Sequence, residues 1–187
     1  MPRELTRRSV ELLPLAEARA LRRRAFCKPP SDKLFAARVY QDGSGLPGPD
    51  ALPDDQPVLV SEVVTFRREY RLFVLDGTVR TGSRYAVDGE LDVTPLAEDP
   101  LRQEVAAFAA ELLTVCSAGL PSAVVVDVGL LADGGWAVVE ANPAWASGGY
   151  ACDPDGVLDV VLRAAGPLIE LRAADRPYCR ELPVVTG

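Results

Sequence analysis

The chain has 187 residues, of which 48% are hydrophobic, so it can bury a substantial core as one compact domain or as two small lobes. It contains no histidine, which excludes catalytic triads with a histidine base, histidine metal sites and imidazole pH switches, and leaves acid–base and metal chemistry to carboxylates. The net charge is -7, and 23 of the 27 acidic residues follow residue 40, which argues against a nucleic-acid partner.

The first 24 residues carry arginines and leucines at roughly helical spacing, which predicts a basic helical segment interrupted by Pro14. This start lacks the apolar core and cleavage site of a signal peptide, and no apolar run is long enough to cross a bilayer. The four cysteines are scattered without a CxxC pair, a usage typical of reduced thiols. We therefore expect a cytoplasmic protein with no membrane partner.

Residues 25–66 are expected to form a smaller lobe of short strands. Ser31 or Asp32 is predicted to cap a brief helical turn within it. Residues 42–57 are rich in glycine, proline and acids with almost nothing to bury, which predicts a mobile surface loop that could serve as a lid. The predicted strands are 26–29, 38–40 and 58–66.

Residues 67–187 are expected to form a larger lobe of two hairpins and two helices. Asp76 and Gly77 suit a tight type I′ turn in the first hairpin. Apolar residues at helical spacing predict the two helices, the first of which should cover one face of a sheet. The predicted strands are 69–75, 78–85, 124–130 and 136–142, and the predicted helices are 99–118 and 155–165. The fold class is therefore α+β with antiparallel sheets.

Polar residues interrupt the otherwise apolar strands of the second hairpin, whose turn contains Asp133 and Gly134. If these are the two central turn residues, Asp127 lies directly opposite Glu140 on the neighbouring strand, and Asn142 shares that face. Two carboxylates about 5 Å apart repel each other unless a cation lies between them. Mg²⁺, which prefers oxygen ligands and keeps waters and phosphates, is the expected cation. In the protein without metal, Asp127→Asn should relieve the repulsion and leave the fold intact or stabilise it.

Other interpretations of this hairpin remain open. A three-residue loop that uses Gly135 would shift the pairing by one residue and move Glu140 to the other face. Asp127 and Glu140 could also be edge or salt-bridged residues. A module that binds Ca²⁺ without a nucleotide would use the same acids.

The first hairpin carries a second group of charged residues. Glu62 ends the strand before the hairpin, and Glu69 follows seven residues later. The predicted turn places Glu69 opposite Arg84, and alternation along the strand places Arg71 on the same face. Taken alone, the two acids are explained as a strand-end charge and one member of a cross-strand ion pair.

Together these residues resemble the ATP-grasp superfamily, in particular its carboxylate–amine ligases. In that family an acid on one strand and Glu-x-Asn on the next hold the magnesium ions that bridge the nucleotide phosphates. Asp127, Glu140 and Asn142 match this pattern position by position. Several ligases of the family also show the spacing of Glu62 and Glu69.

The resemblance implies a set of nucleotide ligands. The backbone of Glu62, Val63 and Val64 would bind the adenine edge, since backbone groups are fixed by the strand. Glu69 would accept hydrogen bonds from the ribose hydroxyls. Lys28, one of only two lysines in the chain, resembles the strand lysine that contacts the α and β phosphates.

The resemblance also implies which cations act in catalysis. Arg84 and Arg71 would reach the transferred phosphate, for which the fork of an arginine side chain is suited. The segment 147–150, which follows the Glu-x-Asn pattern, could shape the acceptor or phosphate pocket, although a plain loop would have the same composition.

The fold implied by the resemblance has two small α+β lobes whose antiparallel sheets clasp a nucleotide. The resemblance covers about residues 25–165, which correspond to the central and C-terminal subdomains only. ATP-grasp enzymes generally open with a further α/β subdomain that helps to bind the acceptor, and the first 24 residues leave no room for it. A homo-oligomer or a partner protein is therefore expected to replace that subdomain.

The implied activity is ATP-dependent ligation with ATP and Mg²⁺ as cofactors. A carboxylate of a small molecule or peptide would attack the γ-phosphate to give an acyl phosphate and ADP, and an amine would then displace phosphate. Val125 stands where many of these ligases carry an arginine that stabilises the acyl phosphate. The alternative is a non-catalytic or degenerate Mg-ATP-binding module that acts with a partner.

Overall fold

The computed structural model describes residues 1–31 and 33–179. Asp32, one of the two predicted cap residues, and residues 180–187 of the predicted larger lobe lie outside the described part. The chain divides into two compact units, an N-terminal unit of Pro2–Thr65 and a C-terminal unit that begins at Phe66. Each unit contains one antiparallel sheet and few helices, so the predicted α+β class is confirmed. No helix among the described residues combines the length and apolar character needed to cross a membrane.

The N-terminal unit is a four-stranded antiparallel sheet with the strand order β1-β4-β2-β3. Its elements are α1 (Arg3–Thr6), β1 (Val10–Pro14), α2 (Leu15–Arg19), β2 (Ala25–Lys28), β3 (Arg38–Tyr40) and β4 (Pro57–Ser61). Leu15 and Ala18 of α2 are fully buried against Cys27, Val58 and Val60 of the sheet. These apolar contacts hold the short elements together, since burial of aliphatic side chains is the main stabilising term in a small unit.

The first 24 residues do not form the separate helical segment that their leucine spacing predicts. Val10–Pro14 is instead the edge strand of the sheet and pairs with Pro57–Ser61. Pro14 ends this strand in an extended conformation and precedes the first turn of α2. Leu12 is 61% exposed on the outer face of the edge strand, so its place in the leucine pattern does not mark a buried helix face.

The predicted lid segment, 42–57, is anchored within the N-terminal unit. Leu46 is buried in the core, so the expectation that the segment has almost nothing to bury is wrong. The guanidinium of Arg19 donates to the carbonyl of Pro47 at 2.7 Å and to that of Leu52 at 2.9 Å. Side-chain bonds to backbone carbonyls satisfy groups that would otherwise require water, and they attach this segment to α2.

The C-terminal unit is a five-stranded antiparallel sheet with the strand order β7-β6-β5-β8-β9. Its elements are β5 (Phe66–Leu75), β6 (Thr78–Val87), β7 (Glu90–Pro95), α3 (Arg102–Val115), β8 (Ala123–Leu131), β9 (Trp136–Asn142) and α4 (Pro154–Ala164). Both predicted hairpins and both predicted helices are confirmed, with boundaries that differ by a few residues. Phe108 of α3 stacks on Trp136, which contacts Tyr70, so α3 covers one face of the sheet as expected. On the other face, α4 covers one end, where Phe73, Val125 and Val160 are fully buried.

Strand β7 is an element that the sequence analysis missed. It is joined to β6 by Asp88 and Gly89, whose φ angles are 50° and 85°. The predicted turn at Asp76 and Gly77 has the same left-handed geometry, with φ angles of 48° and 73°. Because Asp-Gly is typical of type I′ turns, the second Asp-Gly pair was an available signal for this hairpin.

The first hairpin contains two register shifts that change which residues face each other. Leu75 pairs with Thr78 next to the turn, as expected for a two-residue loop. Farther along, Tyr70 pairs with Arg84, and Glu69 pairs with Ala86. The predicted pairing of Glu69 with Arg84 is therefore wrong, because each β-bulge inserts one residue and reverses the facing of the residues beyond it.

The second hairpin reaches the predicted pairing by a different route. Its loop has three residues, since the Leu131 N–H donates to the Gly135 carbonyl at 2.7 Å, and Gly134 has a φ of 88°. That loop alone would shift the register, as the alternative interpretation states. A β-bulge beside Asp127 restores it, so Asp127 pairs with Glu140 after all.

Candidate functional site

Polar side chains occupy the part of the C-terminal sheet that α4 does not cover, on the face opposite α3. They come from four neighbouring strands. Arg71 of β5 lies directly opposite Asp127 of β8, which lies directly opposite Glu140 of β9. We define the polar face as Glu69, Arg71, Tyr85, Asp127, Glu140 and Asn142. The antiparallel register brings these residues together although they are distant in the chain.

A bidentate ion pair between Arg71 and Asp127 lies at the centre of the polar face. Arg71 Nε donates to Asp127 Oδ1 at 2.9 Å, and Nη2 donates to Oδ2 at 2.7 Å. The Asp127 side chain is 1% exposed and that of Arg71 is 12% exposed. These hydrogen bonds raise the pKa of Arg71 above its ordinary value. A guanidinium therefore supplies the counter-charge of Asp127, so the expectation that only a metal ion could do so is wrong.

Glu140 and Asn142 form a second polar pair on β9. The Asn142 amide Nδ2 donates to Glu140 Oε1 at 2.8 Å, and both side chains are half-buried. Their spacing of two residues puts both on one side of the strand, as the sequence predicts. Asp127, Glu140 and Asn142 thus stand on one face, as the magnesium hypothesis requires, with side-chain oxygens of the kind that Mg²⁺ prefers.

Glu69 is held by the phenol of Tyr85, which donates to Glu69 Oε2 at 2.8 Å. Burial raises the pKa of Glu69, the bond from Tyr85 opposes this rise, and the charges of Asp127 and Glu140 add to it. Burial also raises the pKa of Tyr85. Three carboxylates therefore interact on the polar face, and Arg71 is the cation among them.

The three carboxylates are not arranged to chelate one ion. Across the part of the chain that the structure describes, no group of three or more Cys, Asp or Glu side chains is placed to hold a metal. Two carboxylates and an amide are fewer ligands than the six that Mg²⁺ requires. A magnesium ion on the polar face would therefore need further oxygens from phosphates and water.

Arg84 lies on the opposite face of the sheet from Arg71. Its Nη1 donates to Asp99 at 2.5 Å and its Nη2 donates to Asp92 at 2.6 Å. The Tyr70 hydroxyl also donates to Asp99, which is 0% exposed just before α3. The prediction that Arg84 shares a face with Arg71 is wrong, because the β-bulge in β6 places Arg84 opposite Tyr70.

The segment 147–150 contacts the polar face through its backbone and through one ring. The Gly148 carbonyl accepts from Arg71 Nη1 at 3.2 Å. Tyr150 stacks on Tyr85 with a centroid distance of 5.1 Å and an interplanar angle of 12°. The sequence analysis missed both tyrosines. Strict alternation from Arg84 would have found Tyr85 on the face of Arg71 only with the correct register, and nothing in the local pattern marks Tyr150.

The other predicted nucleotide ligands belong to the N-terminal unit. Lys28 is the half-buried last residue of β2, opposite Leu59 of β4. Glu62 follows the end of β4, and its carboxylate accepts from the Ser9 N–H at 2.8 Å. Val63 and Val64 come next and belong to no strand. Among the described residues, no backbone hydrogen bond involves these two valines.

Three solved structures resemble this chain at low identity. N5-carboxyaminoimidazole ribonucleotide synthetase in complex with ADP aligns with a TM-score of 0.50 and 19% identity over 74% of this chain and 41% of that chain. The values for D-alanine–D-alanine ligase from Bacillus anthracis are 0.47, 18%, 72% and 49%. Those for the ATP-grasp ligase PsnB complexed with a precursor peptide and AMPPNP are 0.44, 21%, 74% and 45%. This chain spans less than half the length of each.

No curated protein matches the sequence. The likeness to the synthetase extends to the fold, in agreement with the two antiparallel sheets described above. Residues 5–160, most of the chain, match a family of ATP-grasp domains that is the second family of its clade. This chain therefore belongs to that family of ATP-grasp domains.

Proposed function

We propose that this chain binds Mg-ATP and takes part in an ATP-dependent ligation. A substrate carboxylate attacks the γ-phosphate to give an acyl phosphate and ADP, and an amine then displaces phosphate to form the amide. The observation that carries this proposal is the polar face, where three interacting carboxylates surround one arginine in a member of the ATP-grasp family. Such an excess of negative charge favours a bound cation.

The side chains that would hold magnesium are Asp127, Glu140 and Asn142. Their register and their oxygen chemistry fit the ion, provided that phosphates and waters complete its coordination. When bound, Mg²⁺ neutralises phosphate charge and orients the phosphates for transfer. The role of the chain is then to position the phosphates and to exclude competing charges.

Further contacts to the nucleotide are part of the same proposal. We propose that Lys28 contacts the α and β phosphates and that the backbone of Val63 and Val64 binds the adenine edge. Glu69 would accept from the ribose hydroxyls. Arg71 uses three of its five N–H groups within the protein, so two are left for a phosphate oxygen.

Arg84 has a structural role in this proposal instead of the predicted catalytic one. Its pairs with Asp99 and Asp92 lie on the α3 face, away from the carboxylates. The proposed substrates are carboxylates and amines of small molecules or peptides. A partner protein or a second copy of the chain that completes the acceptor site is also part of the proposal.

A non-catalytic Mg-ATP module is the second candidate function. The observation that favours it is Val125, which is fully buried with Phe73 and Ala144 in the apolar cluster under α4. This position therefore brings no cation to an acyl phosphate. The two candidates differ in turnover and share nucleotide binding.

Release of ADP distinguishes the two candidates. The full chain would be incubated with Mg-ATP and with mixtures of amino acids and short peptides, and ADP would be followed in a coupled assay. Ligation predicts ADP release that depends on the added acceptor and is lost in Asp127→Asn. Binding of Mg-ATP without ADP release under every mixture supports the module, and failure to bind Mg-ATP contradicts both.

A further inference from the structure

The guanidinium of Arg71 is enclosed by more than its carboxylate partner. Its centre lies 5.1 Å from the ring centroid of Tyr150 and 5.7 Å from that of Tyr85. The carbonyl of Gly148 accepts a third hydrogen bond from it. A carboxylate, a carbonyl and two aromatic rings thus hold one cation, and a cation near aromatic rings is attracted to their π electrons.

Tyr150 adopts a backbone conformation that tyrosine rarely takes. Its φ angle is 48°, in the left-handed region, where a residue other than glycine loses stability of order 1 kcal/mol or more. It also follows two glycines, Gly148 and Gly149, either of which would adopt this conformation more readily. The stack on Tyr85 and the contact with Arg71 offset this cost, so the conformation serves to place the ring.

The chain beyond Tyr150 is attached to β6. The Ala151 N–H donates to Ser83 Oγ at 3.3 Å, and the Asp153 N–H donates to Thr81 Oγ1 at 2.8 Å. These bonds anchor the segment on the strand that also carries Tyr85. The position of the Tyr150 ring is therefore set by the sheet, although the side chain is 46% exposed.

We propose that Tyr150 is a positioning residue that, together with Tyr85, holds the Arg71 guanidinium on Asp127 and thereby limits the access of a divalent cation to that carboxylate. This inference rests on the proposed Mg-ATP function of the polar face. The two oxygens of Asp127 are both engaged by Arg71, so a cation must compete with the guanidinium for them. Weakening the hold on Arg71 should make Asp127 more available.

The test is binding of Mn²⁺, a probe for the magnesium site, to the nucleotide-free full chain, measured by electron paramagnetic resonance. Tyr150→Ala removes the ring, whereas Tyr150→Phe keeps it. The hydroxyl of Tyr150 makes no hydrogen bond with the described residues, so the phenylalanine variant should retain the stack. Tyr178→Ala is the matched control, because Tyr178 is also 46% exposed but does not contact Arg71.

Tyr150→Ala is expected to bind Mn²⁺ about fivefold more tightly than the wild type, as loss of one exposed cation–π contact implies. Tyr150→Phe and Tyr178→Ala should match the wild type. In the same samples, the Arg71 Nε–H should exchange with solvent faster in Tyr150→Ala alone, as followed by NMR. Unchanged Mn²⁺ affinity in Tyr150→Ala, or equal effects of the alanine and phenylalanine variants, would overturn the proposal.

Failure of this inference is distinguishable from failure of the proposed function. A wild-type chain that is stabilised by Mg-ATP while Tyr150→Ala keeps wild-type Mn²⁺ affinity and Nε–H exchange refutes the positioning role alone. A wild-type chain that gains nothing from Mg-ATP refutes the proposed function, whatever the variants do.

Discussion

The pairing of Arg71 with Asp127 determines how single substitutions on the polar face should behave. A buried carboxylate with a bidentate guanidinium is stable only while both charges are present. Removal of one charge leaves the other buried without compensation. The polar face therefore combines a structural ion pair with the proposed metal ligands, and the two roles share Asp127.

Asp127→Asn is expected to lower the free energy of unfolding of the nucleotide-free protein by about 3 kcal/mol, because Arg71 loses its charged partner in a buried site. This is the opposite of the effect expected if the acids simply repel each other. Urea denaturation measures it. Asp159→Asn is the matched control, since its pair with Arg80 is about half exposed and should contribute less than about 1 kcal/mol. Equal losses in the two variants would contradict the structural role of the buried pair.

Glu69 makes stability depend on pH. Burial raises its pKa in the folded protein, so the folded state holds its proton more tightly than the unfolded state. Glu69 therefore contributes most stability below the ordinary carboxyl pKa, and this contribution is lost as the pH rises through the raised value. Glu69→Gln removes the cost of the buried charge and can still accept from Tyr85.

We expect the melting temperature of Glu69→Gln to exceed that of the wild type at pH 7 by roughly 1–2 °C. The difference should shrink on acidification and vanish below the ordinary carboxyl pKa, where both side chains are neutral. Glu90→Gln, an exposed site at the start of β7, should show no such trend. A Glu69→Gln variant that is less stable at pH 7 would argue against burial as the dominant influence.

At the scale of secondary-structure elements, strand β2 carries the lysine that is proposed to contact phosphate. Lys28 is paired within the sheet, whereas Lys33 is exposed and lies outside any strand. A side chain that starts from a strand has a defined origin, so it loses less freedom when it binds an anion.

Lys28→Ala should therefore raise the dissociation constant of Mg-ATP several times more than Lys33→Ala does. Isothermal titration calorimetry compares the two variants, which remove the same charge from the chain. The melting temperatures of the nucleotide-free variants show whether either substitution disturbs the N-terminal sheet. Identical dissociation constants would remove Lys28 from the site.

The β-bulges show how element geometry changes a site without any change of residue type. In the second hairpin, a three-residue loop and a bulge have opposite effects on register, and Asp127 still faces Glu140. In the first hairpin, the bulges separate Glu69 from Arg84. A side-chain face in a strand alternates with period two, so each inserted residue changes which residues meet.

For the whole molecule, Mg-ATP is expected to raise the melting temperature, while Mg²⁺ alone should have little effect. The polar face offers too few ligands for the ion by itself, and Arg71 already occupies both oxygens of Asp127. Thermal melting with Mg²⁺, with ATP and with both measures this. Equal stabilisation by Mg²⁺ or Ca²⁺ without nucleotide would instead support a simple metal module.

Local patterns in the sequence were sufficient to predict both major hairpins, helices α3 and α4, and the shared face of Glu140 and Asn142. Alternation, helical periodicity and the Asp-Gly turn act over a few residues, so they can be read directly from the chain. Asp88 and Gly89 carried the same signal for β7. The ATP-grasp resemblance also depended on short spacings within these elements.

The remaining features depend on contacts between distant residues. β1 joins β4, Arg71 meets Asp127, and Tyr150 reaches Tyr85 only after the sheets have formed. Neither a bulge nor the pairing of strands that are far apart has a strong local sequence signature, because both are chosen by the packing of the whole sheet. The residue types of the polar face could therefore be read from the chain, but the identity of the cation beside Asp127 emerged only from the assembled sheet.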